Sequence, residues 1–463
     1  MRRHFLPVLL IVVLYAGCAR PDTPPVTMKP MMHPWDPILD TVQSNTIRFF
    51  LETTDSTTGL AVDRYPKESP ASIASVGFAL TVYPIAVERK IISREEASRR
   101  TLNTLRYFWS RKQSQERESV SGFKGFYYHF LTMKDGTREW NCELSTIDTG
   151  LLMSGVLFAQ SYFDGRTPIE ADIRATADSL YRRVDWTWAS DGMDGVAFHW
   201  SPEHGFSNDA WHGYCESMIM YVLAFGSPTH PAGTKGWEHW TSTYVWDTFY
   251  GLDFVQFGPL FGHQYSHCWI DFNGIKDAYM SQKGIDYFEN SRRATYSQQA
   301  YAVQNPGGWK DYSATLWGLT ACDGPGGTVT MADGKEKKFE WYNARGAASD
   351  WNADDGTIAP TAVVSSIPFA PEICVPTVVS MFKRYGRDAF NRYGFVDAFN
   401  PSFIGGKTPR GWFDSDRLGI DQGPIAIMIE NYRNGFVWEV MKRNPYIREG
   451  LRKAGFKGGW IAQ

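Results

Sequence analysis

The sequence predicts an all-α protein, a toroid of paired helices of the (α/α)6 barrel type with long functional loops and a few short strands. Apolar residues recur at helical spacing in about a dozen segments. Alternating, strand-like stretches are few and short. Long Gly-, Pro- and Asp-rich connections separate the helical segments, yet no composition break divides residues 35–463. A helical solenoid is the competing arrangement, but it needs a fixed sequence period and none is present.

Asp36-Pro37 open the first helix as N-cap and first helical residue, followed by Ile38, Val42, Ile47 and Phe50. Ser93 and Glu96 form a capping box before Leu102, Leu105 and Trp109. A helix over 143–163 carries Leu144, Ile147, Leu151, Leu152, Gly155 and Phe158 at helical spacing, and Ile169, Ile173, Ala177 and Leu180 mark the next. Further helices are expected over 213–225, 277–283, 285–304, 371–385 and 422–443, with short strands at 125–131 and 327–331. The connections 305–316 and 343–371 are longer than a compact domain keeps without a functional reason.

Arg2 and Arg3 precede an apolar run over 5–17 that ends in Ala16-Gly17-Cys18, the pattern of an export signal. That run is too short to span a bilayer well. A cysteine directly after Ala-Gly resembles a bacterial lipoprotein signal, in which the cysteine is acylated. Tyr15 departs from the aliphatic residue usual there. The expected organisation is a signal peptide over 1–17, a proline-rich tether over 18–34 and one catalytic domain over 35–463. That reading implies export to the outer membrane on a lipid anchor; a monomer is expected. Cys142, Cys215, Cys268, Cys322 and Cys374 are scattered without a C-x-x-C pair, so no disulfide framework is expected.

Lys and Arg number 47 against 50 Asp and Glu, for a formal charge of −3. No basic excess exists to neutralise a nucleic-acid backbone. Aromatic residues reach 15%, and such rings either fill cores or stack on ligands. Motifs for cofactors fail on inspection. Gly405-Gly406-Lys407-Thr408 resembles the end of a phosphate loop, but Pro401 stands where its first glycine is required. His263, His267 and Asp271 lack the inserted Glu of a zinc helix, and Asp414-Ser415-Asp416 is too short for a calcium loop. No metal and no cofactor are expected.

Four blocks set carboxylates among aromatic and apolar residues: Glu139–Asp148, Trp211–Ser217, Asp350–Gly356 with Glu372, and Gly411–Asp416 with Asp421-Gln422. Glu143 is placed near a helix start, Asp148 inside the apolar helix, and Glu216 at the head of another. A lone carboxylate in an apolar helix costs several kcal/mol unless it is paired or faces a cleft. Capping is the alternative reading, strongest for Asp421. Carboxylates flanked by Trp and Tyr suit glycoside hydrolysis, which needs one protonated carboxylic acid and a second carboxylate. Glu216 has the most apolar neighbourhood and is the candidate acid, kept protonated by Tyr214 and the helix that follows. Glu143, Asp148 and Asp416 are the other catalytic candidates. Trp140, Trp211 and Tyr214 are expected to line the cleft. His212, Gln264, His267, Asp271, Asp355, Glu372, Asp421 and Gln422 are the candidates for binding sugar hydroxyls.

At these residues the chain resembles the glycoamylase-like domain family, which includes the β-1,2-glucanases of glycoside hydrolase family 144. The resemblance rests on WNCELSTID (140–148), WHGYCE (211–216) with GSPTHP (226–231), GPLFGHQYSHCWIDF (258–272), 355–372, and GIDQGPIAIMIENYR (419–433). It spans about residues 36–460 and implies an (α/α)6 barrel, inverting hydrolysis, no metal, and β-1,2-glucan or sophoro-oligosaccharides as leading substrates. It also implies a catalytic role for Glu216, with Glu143, Asp148 and Asp416 in its other acidic motifs. Three alternatives remain. An α-glucan hydrolase would fit the older glucoamylase label. A non-catalytic glycan-binding lipoprotein has no need of carboxylates within apolar segments. A polysaccharide lyase needs cationic residues that the blocks lack.

Overall fold

From Ile38 onward the chain alternates between helices at the periphery and helices at the centre. The peripheral set is Ile38–Thr53, Arg94–Ser110, Pro168–Arg183, Lys235–Ser242, Tyr287–Gln304 and Pro371–Ala389. The central set is Ile73–Glu88, Thr146–Tyr162, Met218–Gly226, Tyr265–Trp269, Pro360–Val364 and Gly419–Asn434. Composition separates the two sets. Met218–Gly226 (MIMYVLAFG) is apolar on every face and buried throughout. Arg94–Ser110 buries one stripe, including Ala97, Thr101, Leu105 and Phe108, and turns its charges to solvent.

The computed structural model describes residues 28, 35–331, 334–406 and 408–462. The expected signal peptide, Cys18, all of the tether but Met28, and Lys407 lie outside them. The central helices close into a ring. Gly419–Asn434 packs on Ile73–Glu88, which packs on Thr146–Tyr162, which reaches Met218–Gly226. Tyr265–Trp269 touches both Met218–Gly226 and Gly419–Asn434, and Gln264 Nε2 ties it to Pro360–Val364 through Ala362 O at 2.8 Å. This is the expected (α/α)6 barrel. Ile73–Glu88 and Thr146–Tyr162 meet backbone to backbone. A Cβ on Gly155 would stand 2.0 Å from Gly77 O, so only glycine fits there.

The structure differs from the sequence reading in four further helices of these two sets, Ile73–Glu88, Lys235–Ser242, Tyr265–Trp269 and Pro360–Val364, the last inside the expected 343–371 connection, and in three helix boundaries. The helix expected over 213–225 starts only at Met218. The helix expected over 143–163 starts at Thr146, because Leu144–Ser145 pair as a strand with Phe126–Tyr128 and His199–Ser201. The span 422–443 is two helices, Gly419–Asn434 and Phe436–Met441, broken at Gly435 with φ +69°. The five-stranded antiparallel sheet to which Leu144–Ser145 belong runs Gly122–Phe123, Phe126–Tyr128, Leu144–Ser145, His199–Ser201 and Gly205–Phe206.

Strict alternation gives the central helices one common direction, so their N-termini gather at one end of the barrel. Ser72, Asp148, Glu216, Tyr265 and Asp421 each lie within three residues of a central helix start and line one cavity there. Helix N-termini carry partial positive charge and unbonded N–H groups, which favour carboxylates.

Candidate active site

The cavity measures about 560 Å3, within the ~300–1,000 Å3 usual for small-ligand sites. Its wall holds the carboxylates of Asp63, Glu143, Asp148, Glu216 and Asp421, with Arg64 and His129 as cations. Aromatic rings of Phe130, Phe198, Trp211, Phe261, Tyr265 and Tyr342 complete it. The sheet edge supplies one side. Trp211 meets Phe198 edge-on at 4.5 Å and donates its indole N–H to Thr146 Oγ1 at 3.0 Å.

Asp148 sits in the first turn of its helix, not deep inside it. Ser145 caps that helix by accepting the Asp148 N–H at 3.1 Å, and its hydroxyl donates to Asp148 Oδ2 at 2.5 Å. His129 bridges the two carboxylates of this block. Its Nδ1 lies 2.7 Å from Glu143 Oε1 and its Nε2 3.6 Å from Asp148 Oδ2. Burial works against a charged His129, but the Asp148 charge and the Glu143 hydrogen bond push it up to about 9. It is therefore an imidazolium at neutral pH. Burial alone would raise Glu143; the hydrogen bond and charge of His129 outweigh that and hold it below its ordinary value.

Glu216 lies in the turn before Met218–Gly226, where Ser266 Oγ donates to its carbonyl at 3.1 Å. Burial pushes its carboxyl up to about 7, and the Asp148 charge adds to the effect. Asp421 is in the first helical turn without capping it, and it faces the cavity. Behind it, buried Asp397 shares a hydrogen bond with Asp421; burial and mutual repulsion hold a proton on this pair. Asp323, Asp397 and Asp414 bring carboxylate oxygens within 4.8 Å of one another, the group among the described residues with spacing to hold a metal ion. Arg64 Nη1 supplies positive charge there, 2.6 Å from Asp323 Oδ2.

The structure thus brings Glu143, Asp148, Trp211, Glu216 and Asp421 together. Trp140 stands at the rim, 64% exposed, with its ring 5.3 Å from the wall residue Phe130. The remaining candidates do not line this cavity. Tyr214 is not part of the cavity wall: it stacks on Tyr287 at 5.9 Å inside an aromatic core with Trp240 and His263. His212 is exposed and bonds Ala210 O. Gln264 Nε2 donates to Ala362 O and Ser366 Oγ. His267 is buried beside Ser291, Phe272 and Phe369, and burial pushes it down to about 3, so it is neutral. Asp271 pairs with Lys442 at 2.7 Å, and Gln422 bonds Thr46 Oγ1 and Phe395 O. Glu372 is locked to Arg292 and Tyr296. Asp416 lies behind the wall, where Oδ1 accepts the Lys67 N–H and Oδ2 is 3.7 Å from Arg64.

Asp355 belongs to the frame as well, since both its oxygens accept from Arg345, at 2.7 and 2.8 Å. Both partners are buried. Removing one member of such a pair strands the other charge, typically at ~3–5 kcal/mol. Asp355→Ala is therefore expected to lower unfolding free energy by about that amount in urea titration. A change confined to KM would place Asp355 in substrate binding instead.

Sequence reasoning missed Asp63, Arg64, Ser72, His129, Phe130, Tyr265 and Tyr342, all of which line the cavity. His129 could have been suspected from its place in the alternating segment 125–131. Its partners appear only when that strand pairs with Leu144–Ser145. Tyr265 lies in the same segment as Gln264 and His267, and only the helix start, not the composition, turns it inward.

The Glycoamylase family model, described as "Putative glucoamylase", matches residues 208–445. A curated relative, the exo β-1,2-glucooligosaccharide sophorohydrolase (non-reducing end) of Parabacteroides distasonis, is 28% identical over 90% of this chain. The chain spans 57% of that relative's length. The crystal structure of a "putative glucoamylase" from Bacteroides uniformis superposes with a TM-score of 0.80 at 30% identity, covering 94% of this chain and 100% of that one. The endo-β-1,2-glucanase of Chitinophaga pinensis, solved with sophorotriose and glucose, gives 0.78 at 28% identity over 91% of this chain and 98% of that one.

Proposed function

The chain belongs to the glucoamylase-like family, and on that premise we propose that it is a glycoside hydrolase cleaving β-1,2-glucan or sophoro-oligosaccharides by an inverting two-carboxylate mechanism. The observation that carries this reading is Glu216, raised to about 7 in the same cavity as the Glu143–His129–Asp148 bridge. A carboxyl poised near neutrality can protonate the leaving oxygen of a glycosidic bond. The base must be ionised. Asp421 holds a proton with Asp397, Asp416 is outside the wall, and Asp63 is paired with Arg64 at 3.2 Å, which leaves the block held by His129. Glu143, kept ionised by His129, and Asp148 are the groups to activate water. The aromatic wall offers stacking faces for pyranose rings. The names of the Parabacteroides and Chitinophaga relatives support the β-1,2 linkage.

The test is incubation with a panel of glucans followed by product chromatography. Sophoro-oligosaccharides from β-1,2-glucan are the expected products. The name of the family model favours α-glucan as the second reading, and glucose released from α-1,4-glucan alone would establish that one.

We also propose that the mature chain is a lipoprotein of the outer membrane, anchored through Cys18. Cys18→Ser is expected to move it from the membrane to the soluble fraction. A wild type already soluble on fractionation would overturn the anchor.

A further inference from the structure

We propose that a second cavity beside the active site is an outer subsite for additional glucose units of the same glucan chain. The proposal rests on the glucan reading above. This cavity holds about 330 Å3 and is lined by Val245, Gln256, Phe257, Pro259, Asp350 and Trp351, among others.

Two segments of chain join it to the active site. Phe257 and Pro259 line the outer cavity, while Phe261, four residues after Phe257, lines the active site. Tyr342 lines the active site, while Ala344 lines the outer cavity. The rings of Phe257 and Phe261 meet edge to face at 5.5 Å. The two cavities therefore lie beside one another along these two segments, with Phe261 on the active-site side and Phe257 and Trp351 on the other.

Their chemistry suits a sugar ring. Trp351 is 41% exposed. Its benzo ring rests on Gly258, where a Cβ would stand 2.3 Å from Cε3. The glycine thus seats the indole and leaves its remaining surface free for stacking. Exposed Asp350 offers a carboxylate to hydroxyl groups at the rim. Gln256 is engaged elsewhere, with Asp247 O, Phe254 O and the Ser349 N–H, so the lining is chiefly aromatic and apolar. Stacking on the apolar face of a pyranose needs such a lining, and a place next to the active site selects the same glucan chain as its occupant.

The test compares wild type with Trp351→Ala and Gly258→Ala on linear β-1,2-glucan of high chain length and on a short sophoro-oligosaccharide. Loss of one aromatic stacking contact is expected to raise KM for the long chain about two- to tenfold in Trp351→Ala, with kcat little changed. Gly258→Ala, which unseats the ring, should shift KM the same way. Kinetics on the short substrate should stay close to wild type. Equal changes on both substrates, or none on the long one, would overturn the subsite. Electrophoresis through gels containing the long glucan, in a Glu216→Gln background, reads binding without hydrolysis. Retardation that Trp351→Ala relieves sustains the subsite even if no glucan is cleaved, in which case only the hydrolytic reading falls. Retardation unaffected by Trp351→Ala, or absent altogether, overturns the subsite.

Discussion

Glu216→Gln is expected to lower kcat on β-1,2-glucan by about 10²–10⁴-fold, the usual contribution of a general acid. The amide keeps the shape of the side chain but cannot donate a proton to the leaving oxygen. An aryl glycoside with a good leaving group, if it is a substrate, should lose less. Wild-type activity should also fall as pH rises through about 7, where the acid ionises. The same variant should be more stable than wild type at alkaline pH. Between its ordinary value of 4.5 and about 7, the folded protein holds a proton that the unfolded chain has lost. The unfolded state is therefore increasingly favoured as pH rises through that window. Each pKa unit is about 1.4 kcal/mol, so the gain on substitution reaches up to about 3 kcal/mol at pH 8 and vanishes near pH 4. Thermal melts at the two pH values read this directly. Near-normal kcat in the variant removes Glu216 from the mechanism.

His129→Gln is expected to have the second largest effect. The imidazolium holds Glu143 through a 2.7 Å contact and lies 3.6 Å from Asp148, so its loss frees both carboxylates and lets Glu143 rise under its own burial. The acidic limb of the pH–rate profile should move to higher pH, and kcat/KM should fall by about 10²-fold, the lower end of acid–base effects. A merely structural histidine would lower stability without moving that limb. The linkage runs opposite to an acid held below its ordinary value. Because folding raises His129 from 6.5 to about 9, its contribution to stability is fully present below about pH 6.5 and is lost as pH rises through 9. Wild type should therefore destabilise across that window more than His129→Gln does.

The barrel was legible because helical periodicity is a local property. Runs such as Met218–Gly226 and the stripe in Arg94–Ser110 separate central from peripheral helices without tertiary information. The cavity was legible in part, where a carboxylate interrupts an apolar run near a helix start, as at Asp148, Glu216 and Asp421. That signal fails for a carboxylate with a distant cation. Asp355 meets Arg345 and Glu372 meets Arg292, and neither partner is foreseeable from neighbouring residues. Tyr214 misled because an aromatic beside an acid in sequence need not share its direction; one residue of a turn separates the core from the cavity. His129 and Arg64 were invisible for the converse reason. Each owes its role to contacts with residues brought close only by the sheet and the closing of the ring, such as Asp323 for Arg64.

The most direct test is proton NMR of the reducing sugar formed in the first minutes of wild-type hydrolysis of β-1,2-glucan. In the proposed mechanism a water activated by the Glu143/Asp148 block would attack the face of the ring away from the Glu216 acid and invert the anomeric centre. The expected spectrum shows the α-anomer first, with the β-anomer growing later by mutarotation. A β-anomer formed first, or no cleavage of the glucan, would contradict this assignment of the cavity.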